Sequence, residues 1–309
     1  MLLRWLVDQY LRDAAHNKLR EVVTDITTPG RPATSSLAPE RIHSKPESLP
    51  TASTTEEPPE FLPCHAAFIF ALSIESGGLT DLLQGGETSR HSHGTERAGK
   101  LAGREVVIVE GGVGQKSAAR ATAETIKFYK PDWVISAGFA GGLDEKLRRG
   151  HILMADEVIN ASGDSISIRL PLDRSSLAGS KGLHIGRLLT VDSIIREPAD
   201  RHALASQHNA LACDMECFAV ARVCRDQNIP FLAIRIISDA VDDALPPEIE
   251  HLLKQKSLAA QLGAAAGAIF KRLGAAKDLW KLREDALKAS DRLAKFLVGI
   301  IEQLKAGQK

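Results

Sequence analysis

The sequence lacks an excess of either charge, because 39 Lys and Arg residues balance 39 Asp and Glu residues among 309. A neutral chain has no general field to attract nucleic acid or an anionic membrane. No apolar run reaches the roughly 18 residues that a membrane-spanning helix needs. The N-terminal MLLRWLVDQYLRDAAHNKLR carries acids and has no clean apolar centre, which argues against a signal peptide. We therefore expect small-molecule partners and no nucleic acid.

Cysteine is also scarce, and no two cysteines form a CxxC pair. The four are Cys64, Cys213, Cys217 and Cys224. This spacing favours small buried residues in a reducing compartment over a disulfide framework or a metal site. The two histidines of RHSHG (90–94) have too few neighbouring ligands for a metal, so we interpret them as solvated loop residues. We expect a cytoplasmic protein with no metal and no cofactor.

Composition divides the chain into four segments. Residues 1–26 read as an amphipathic helix, with Leu3, Leu6 and Leu11 among its regularly spaced apolar residues. Residues 27–63 are rich in Pro, Ser and Thr, a composition typical of a flexible linker.

Residues 64–273 form the predicted compact domain. Short apolar runs alternate there with helical patterns, which indicates an α/β domain with a central mixed, largely parallel sheet flanked by helices. The predicted strands are 66–72, 105–110, 132–138, 151–159, 183–191 and 231–238, and the predicted helices are 115–129, 216–228 and 247–273.

Residues 274–309 continue the chain with an apolar stripe at helical spacing. We predict a C-terminal helical extension that packs on the domain, on the N-terminal helix or on a second subunit. Contact of either terminal helix with a membrane surface is the less favoured alternative.

The last predicted strand, FLAIRIISDAVDD (231–243), turns acidic where it ends. A solvated turn would explain Asp239, Asp242 and Asp243 on composition alone. Ligands of parallel α/β sheets, however, gather at the carboxyl ends of the strands. That rule favours a functional role for Asp239.

Three glycine-marked turns and one acidic helix start complete the candidate motifs. They are SIESGGL (73–79), EGGVGQKSAA (110–119), SAGFAGGLD (136–144) and ACDMECFAVARVC (212–224). Each has a structural explanation: glycines let backbones pass closely, Asp214 can cap a helix, and Glu216 is a favourable first-turn acid. No single motif is specific.

The order of these motifs, together with KPDWVISAGFAGGLDEKLRRGHILMADEV and DMECFAVARVCRDQNIPFLAIRIISDAVDD, is specific. From about Ala66 to Leu273 the chain resembles the purine nucleoside phosphorylase/uridine phosphorylase superfamily. Within it, the chain is most similar to methylthioadenosine/S-adenosylhomocysteine nucleosidases and to hopanoid-associated nucleoside phosphorylases. Residues 1–63 and 274–309 lie outside the resemblance.

The resemblance implies cleavage of an N-glycosidic bond in a purine nucleoside. Asp239 would be the general acid that protonates N7 of the departing purine, and Ser238 would orient its carboxyl group. Arg235 would pair with acids near the site. Glu75 would activate the attacking water from the opposite side of the sugar.

The resemblance also places the substrate. Glu216 would accept hydrogen bonds from the ribose 2′ and 3′ hydroxyls, and Met215 would pack on the sugar. Phe139 stands where the nucleosidases keep a small hydroxyl residue, and Ile194, with Ile195 beside it, replaces the aromatic that stacks on the base.

The nucleophile is water or phosphate. Many phosphorylases of this superfamily place an arginine three residues before a serine in the SAGFAGG turn, where this chain has Ser136 and Phe139. Phosphate therefore lacks its usual cation. The amides of Gly77, Gly78 and the GGVG turn that ends at Gly114 could still cradle it.

We expect first an N-glycosyl hydrolase that releases adenine from methylthioadenosine/S-adenosylhomocysteine-type nucleosides, in nucleoside catabolism and methionine salvage. A phosphate-dependent phosphorylase is the second alternative and a non-catalytic nucleoside-binding protein the third. The family also implies a homodimer or a higher homo-oligomer.

Overall fold

The computed structural model of the protein describes residues 63–171, 181–245 and 275–304, and of residues 275–283 it describes the backbone alone. The helix predicted at 1–26, all but the last residue of the linker predicted at 27–63, and the core helix predicted at 247–273 lie outside these residues. No helix in the described ranges is long and apolar enough to cross a bilayer.

In the part of the chain that the structure describes, ten strands form one sheet. They are β1 (Ala66–Phe70), β2 (Gln84–His91), β3 (Gly94–Leu101), β4 (Arg104–Glu110), β5 (Trp133–Gly142), β6 (Ile152–Asn160), β7 (Ser165–Ser167), β8 (Leu183–Thr190), β9 (Ala212–Asp214) and β10 (Phe231–Asp239). The central strands are apolar and rich in β-branched residues, the composition that suits a strand buried on both faces.

Strand β5 organises the sheet. Its first half pairs with β1, its last two residues pair with β9, and its other edge pairs with β10. Strands β5, β10, β6, β8 and β9 therefore close into a ring, while β1, β4, β3 and β2 extend from it. Among the described residues, five strand pairings are parallel and five antiparallel. The sheet is mixed, as predicted, but it is not largely parallel.

Within the described ranges, five helices cover the sheet. They are α1 (Ser73–Asp81), α2 (Gln115–Tyr129), α3 (Pro198–His208), α4 (Cys217–Asp226) and α5 (Ala275–Gln303). The side chains of β1 point alternately to the two layers of helices. Ala67 and Ile69 join the apolar cluster that includes residues of α2 and α4. Phe68 and Phe70 join the cluster that includes residues of α5. The alternation of side chains along a strand produces these two faces.

The hairpin β2–β3 corrects the prediction of a histidine-bearing loop at 90–94. His91 ends β2 and Gly94 begins β3. His93 is buried, and its Nε2 lies 2.7 Å from Oε1 of the buried Glu96. His93 is thus a satisfied interior residue. Across the described residues, no group of His, Cys, Asp and Glu side chains is suited to hold a metal ion.

Helix α5 is part of the main core. Its side chains Leu293, Leu297 and Ile301 have no exposed surface and join the same cluster as β10. The structure places this helix against the domain, which is the first of the three predicted packing partners.

A close contact joins α5 to α1. Ser290 Oγ accepts a hydrogen bond from the Gly78 amide at 2.9 Å and donates to the Glu75 carbonyl at 3.0 Å. A Cβ atom on Gly78 would lie 2.8 Å from the Ser290 carbonyl oxygen, so this position requires glycine. SIESGGL forms most of helix α1 and is not the glycine turn that the sequence predicts.

Candidate active site

Glu75 lies at the start of α1, where the chain leaves β1. Its Oε2 accepts hydrogen bonds from the amides of Leu72 at 2.9 Å and Ala71 at 3.1 Å. Its Oε1 accepts a third, at 2.8 Å, from the Phe139 amide of β5. Phe139 lies beyond the part of β5 that pairs with β1. The Glu75 carboxylate therefore lies where the sheet opens between β1 and β9.

Glu216 approaches the same place from β9 and α4. Its Oε1 accepts a hydrogen bond from the Gly114 amide at 2.7 Å. Glu75 and Glu216 both line a cleft with an empty volume of about 260 Å³, together with Phe139 and Arg235. Two carboxyl groups, one cation and an aromatic wall therefore meet in one partly open space.

The two carboxyl groups resist ionisation. Burial raises the pKa of Glu216 from about 4.5 to about 8, and the nearby charges of Asp214 and Glu75 act in the same direction. Burial also raises the pKa of Glu75, against the stabilising hydrogen bonds from the Phe139 and Leu72 amides. Desolvation thus raises the pKa of both acids, as expected for carboxyl groups removed from water.

Arg235 pairs with an acid beside the cleft, as predicted. Its Nη2 donates to Asp214 Oδ2 at 2.6 Å and to Ser136 Oγ at 2.8 Å. Asp214 also accepts from the Thr190 hydroxyl and from the Cys217 amide at the start of α4. Asp214 is therefore a structural acid that caps α4 and neutralises Arg235, in agreement with the capping interpretation of the sequence.

Asp239 is buried at the end of β10. Its Oδ1 accepts a hydrogen bond from the Ser238 hydroxyl at 2.5 Å, the contact expected of an orienting serine. Its Oδ2 lies 2.5 Å from Arg201 Nη2. Burial raises the pKa of Asp239 above its ordinary value, although Arg201 and Ser238 oppose this shift.

Strand β5 brings the three predicted carboxyl groups to one region. A Cβ on Gly138 would lie 2.8 Å from Glu75 Oε1, and a Cβ on Gly141 would lie 3.0 Å from Asp239 Oδ2. The GFAGG motif thus lets two carboxyl groups touch the backbone three residues apart. Asp239 is nevertheless not among the residues that line the cleft of Glu75 and Glu216, so it adjoins that cleft without facing it.

Of the residues predicted to contact the sugar and the base, some line the cleft and others do not. Phe139 is half-buried and lines the cleft. Ile195 and Met215 pack on a separate apolar cluster that includes Leu189. Ile194 is half-buried, and it too is absent from the cleft lining.

The glycine turn before α2 does not offer the amides expected for phosphate. The Gly111 and Gly112 amides donate to the carbonyls of Phe70 and Ala71, and the Gly114 amide donates to Glu216. The Gly78 amide donates to Ser290. The prediction that Gly78 and the GGVG amides could cradle phosphate is therefore wrong for these four amides.

Arg201 is the residue that the sequence analysis missed. It belongs to α3, which was not predicted, and it is 1% exposed. Its Nη1 donates to the Ala240 carbonyl at 2.7 Å, and its Nε and Nη2 donate to the Ile195 carbonyl at 3.1 and 2.9 Å. Pro198 after Glu197 was the available signal for a helix start, since proline favours the first helical turn.

We expect Glu216→Gln to raise the melting temperature at alkaline pH. A folded-state pKa near 8 means that the protonated form contributes stability below pH 4.5 and that this contribution is lost as the pH rises to about 8. Glutamine never ionises, so the stability difference between variant and parent should grow across this window. Thermal melts at pH 5 and pH 9 measure it.

The matched control is Glu284→Gln, at an exposed position of α5. It should lack the alkaline gain. An equal difference between Glu216→Gln and its parent at both pH values would contradict the raised pKa.

Comparison with known proteins identifies the family. A family model described as the phosphorylase superfamily matches residues 67–273. The 5′-methylthioadenosine/S-adenosylhomocysteine nucleosidase of Staphylococcus aureus is 30% identical over 181 residues, an alignment that covers 52% of this chain and 79% of that protein.

Solved structures of the same kind of enzyme share the fold. The nucleosidase of Helicobacter pylori with butyl-thio-DADMe-Immucillin-A is 19% identical, with a TM-score of 0.60, and the match covers 79% of this chain and 100% of that one. The nucleosidase of Colwellia psychrerythraea in complex with adenine is 22% identical, with a TM-score of 0.60 and coverage of 80% and 98%. With a family model matched over more than half of its length, the chain belongs to the phosphorylase superfamily.

Proposed function

We propose that the protein is a nucleosidase that hydrolyses the N-glycosidic bond of adenine nucleosides of the 5′-methylthioadenosine/S-adenosylhomocysteine type and releases adenine. One observation supports this most directly: Glu75 and Glu216 share a cleft, and Asp239 adjoins it across β5. The named relatives are nucleosidases of this type. We further propose that it acts as a homo-oligomer in the cytoplasm, in nucleoside catabolism and methionine salvage.

Each carboxyl group has a role in this reaction. Asp239, whose pKa is raised by burial, gives a proton to the leaving purine, and Ser238 fixes its carboxyl group by donating to Oδ1. Glu216, once ionised, accepts from the ribose hydroxyls and favours the cationic sugar. Glu75 takes a proton from the attacking water. Its three backbone hydrogen bonds fix its direction, which an efficient base requires.

Water is favoured over phosphate as the nucleophile because the cleft is acidic. Arg235, the cation that lines it, is already neutralised by Asp214. A phosphate dianion would lack a free cation among the described lining residues, and any ionised glutamate there would repel it. A water molecule has no such penalty.

Adenine release from 5′-methylthioadenosine, S-adenosylhomocysteine, adenosine and inosine, measured with and without phosphate, tests this proposal. Release of adenine from the first two in phosphate-free buffer, with a free reducing sugar as product, is expected. Release that requires phosphate and yields a sugar 1-phosphate would show a phosphorylase instead. Binding of these nucleosides without any release would show a non-catalytic protein.

A further inference from the structure

Arg201 and Asp239 form a buried ion pair outside the cleft lining, and Arg201 belongs to none of the motifs that carry the family resemblance. Arg201 is held by the Ile195 carbonyl before α3 and by the Ala240 carbonyl after β10. These contacts engage all three nitrogens of the guanidinium group, so the group is fixed and cannot move with Asp239. It presents a fixed positive charge to Asp239 Oδ2.

We propose that Arg201 is a positioning residue that fixes the carboxyl group of Asp239 and controls its charge. This inference rests on the proposed function, in which Asp239 donates a proton. By holding both the Ile195 segment and the end of β10, Arg201 also connects the predicted wall for the base to the acid that acts on the base.

The two oxygens of Asp239 are held by different residues. Its Oδ1 is engaged by Ser238, whereas Oδ2 is buried and lies 2.5 Å from Arg201 without a hydrogen bond of regular geometry among the described residues. Arg201 therefore acts on Oδ2 chiefly through its charge.

Other charged and titratable groups face Asp239 from the elements around it. Arg149, before β6, is more distant and is itself engaged by Asp243. Cys213 of β9 lies on the same side of Gly141, and burial raises the pKa of its thiol to about 12, so it stays neutral at ordinary pH. Arg201 is therefore the dominant charge on Asp239.

The test is a carboxyl ¹³C NMR titration of Asp239, whose signal is assigned by its loss in Asp239→Asn. An opposite charge in contact lowers a carboxyl pKa by about 1–3 units, so Arg201→Met should raise the titration midpoint by that amount. Arg201→Lys, which keeps the charge, should return most of the shift. Arg225→Met, at an exposed arginine of α4, should leave the midpoint unchanged.

A second readout is the pH dependence of turnover. The limb on which activity falls with rising pH should move upward in Arg201→Met, because Asp239 keeps its proton to higher pH. An unchanged midpoint in folded Arg201→Met overturns the proposal, and Arg201→Gln replaces this variant if its melting curve shows that it does not fold. Absence of nucleoside cleavage by the wild-type protein would refute the proposed function alone, since the titration does not depend on activity.

Discussion

Asp239→Asn should lower turnover of the preferred nucleoside at least about a hundredfold, the lower end of what a general acid contributes. Asparagine keeps the size of the side chain and its place beside Ser238, but it has no acidic proton to give to the purine. Single-turnover adenine release at saturating nucleoside separates this loss of chemistry from weaker binding. Turnover within a few-fold of the parent would remove Asp239 from the role of acid.

The control for this variant follows from the ion pair. Removing one partner of a buried pair costs about 3–5 kcal/mol, because the other charge stays buried and unpaired. Asp239→Asn should therefore melt earlier than the parent, and Asp239→Asn combined with Arg201→Met should regain part of that loss. Recovery of stability without recovery of turnover would show that the missing proton, and not misfolding, causes the defect.

Glu75→Gln should lower hydrolysis by about 100- to 10,000-fold, the range of general-base catalysis. The amide cannot take a proton from water, whereas Glu216 and Asp239 remain to bind the nucleoside. Adenine release in phosphate-free buffer measures the loss, and calorimetric binding of adenine tests that the site survives.

Glu75→Gln also separates the two nucleophiles. Phosphate needs no base to activate it, so a variant that keeps full phosphate-dependent cleavage would contradict hydrolysis as the main reaction. Glu284→Gln is a suitable control, because this carboxylate is exposed on α5 and does not line the cleft. It should keep most of the parent activity.

The apolar strands were predictable because burial on both faces leaves a simple signal in the sequence. Strands β4, β6, β8 and β10 were predicted to within one residue at each end, and α2 matches its prediction at both ends. Strands β2, β3, β7 and β9 were not predicted, and β2 and β9 were missed for different reasons. Every residue of β2 is exposed and none has an apolar side chain, so this strand leaves no hydrophobic signal. Strand β9 has three residues, too few to show an alternation of apolar and polar side chains.

The sequence could predict the site residues that belong to a motif with a fixed backbone position. It could not predict a contact between residues that only the complete fold brings together. Glu75 and Glu216 do meet in one cleft, as the resemblance implies. The partner of Asp239 could not be foreseen, because a lone arginine in a polar helix looks like a solvated residue. Its burial depends on two carbonyls, from Ile195 and Ala240, that are distant in sequence.

The contact between α5 and α1 has a consequence for how the domain is delimited. The family match stops at residue 273, yet Ser290 bonds to the backbone of Glu75, and Leu293, Leu297 and Ile301 fill the interior of the domain. A polypeptide cut where the match ends would leave helix α1, which carries Glu75, without this contact. We therefore expect the smallest stable unit to extend some thirty residues past the end of the family match.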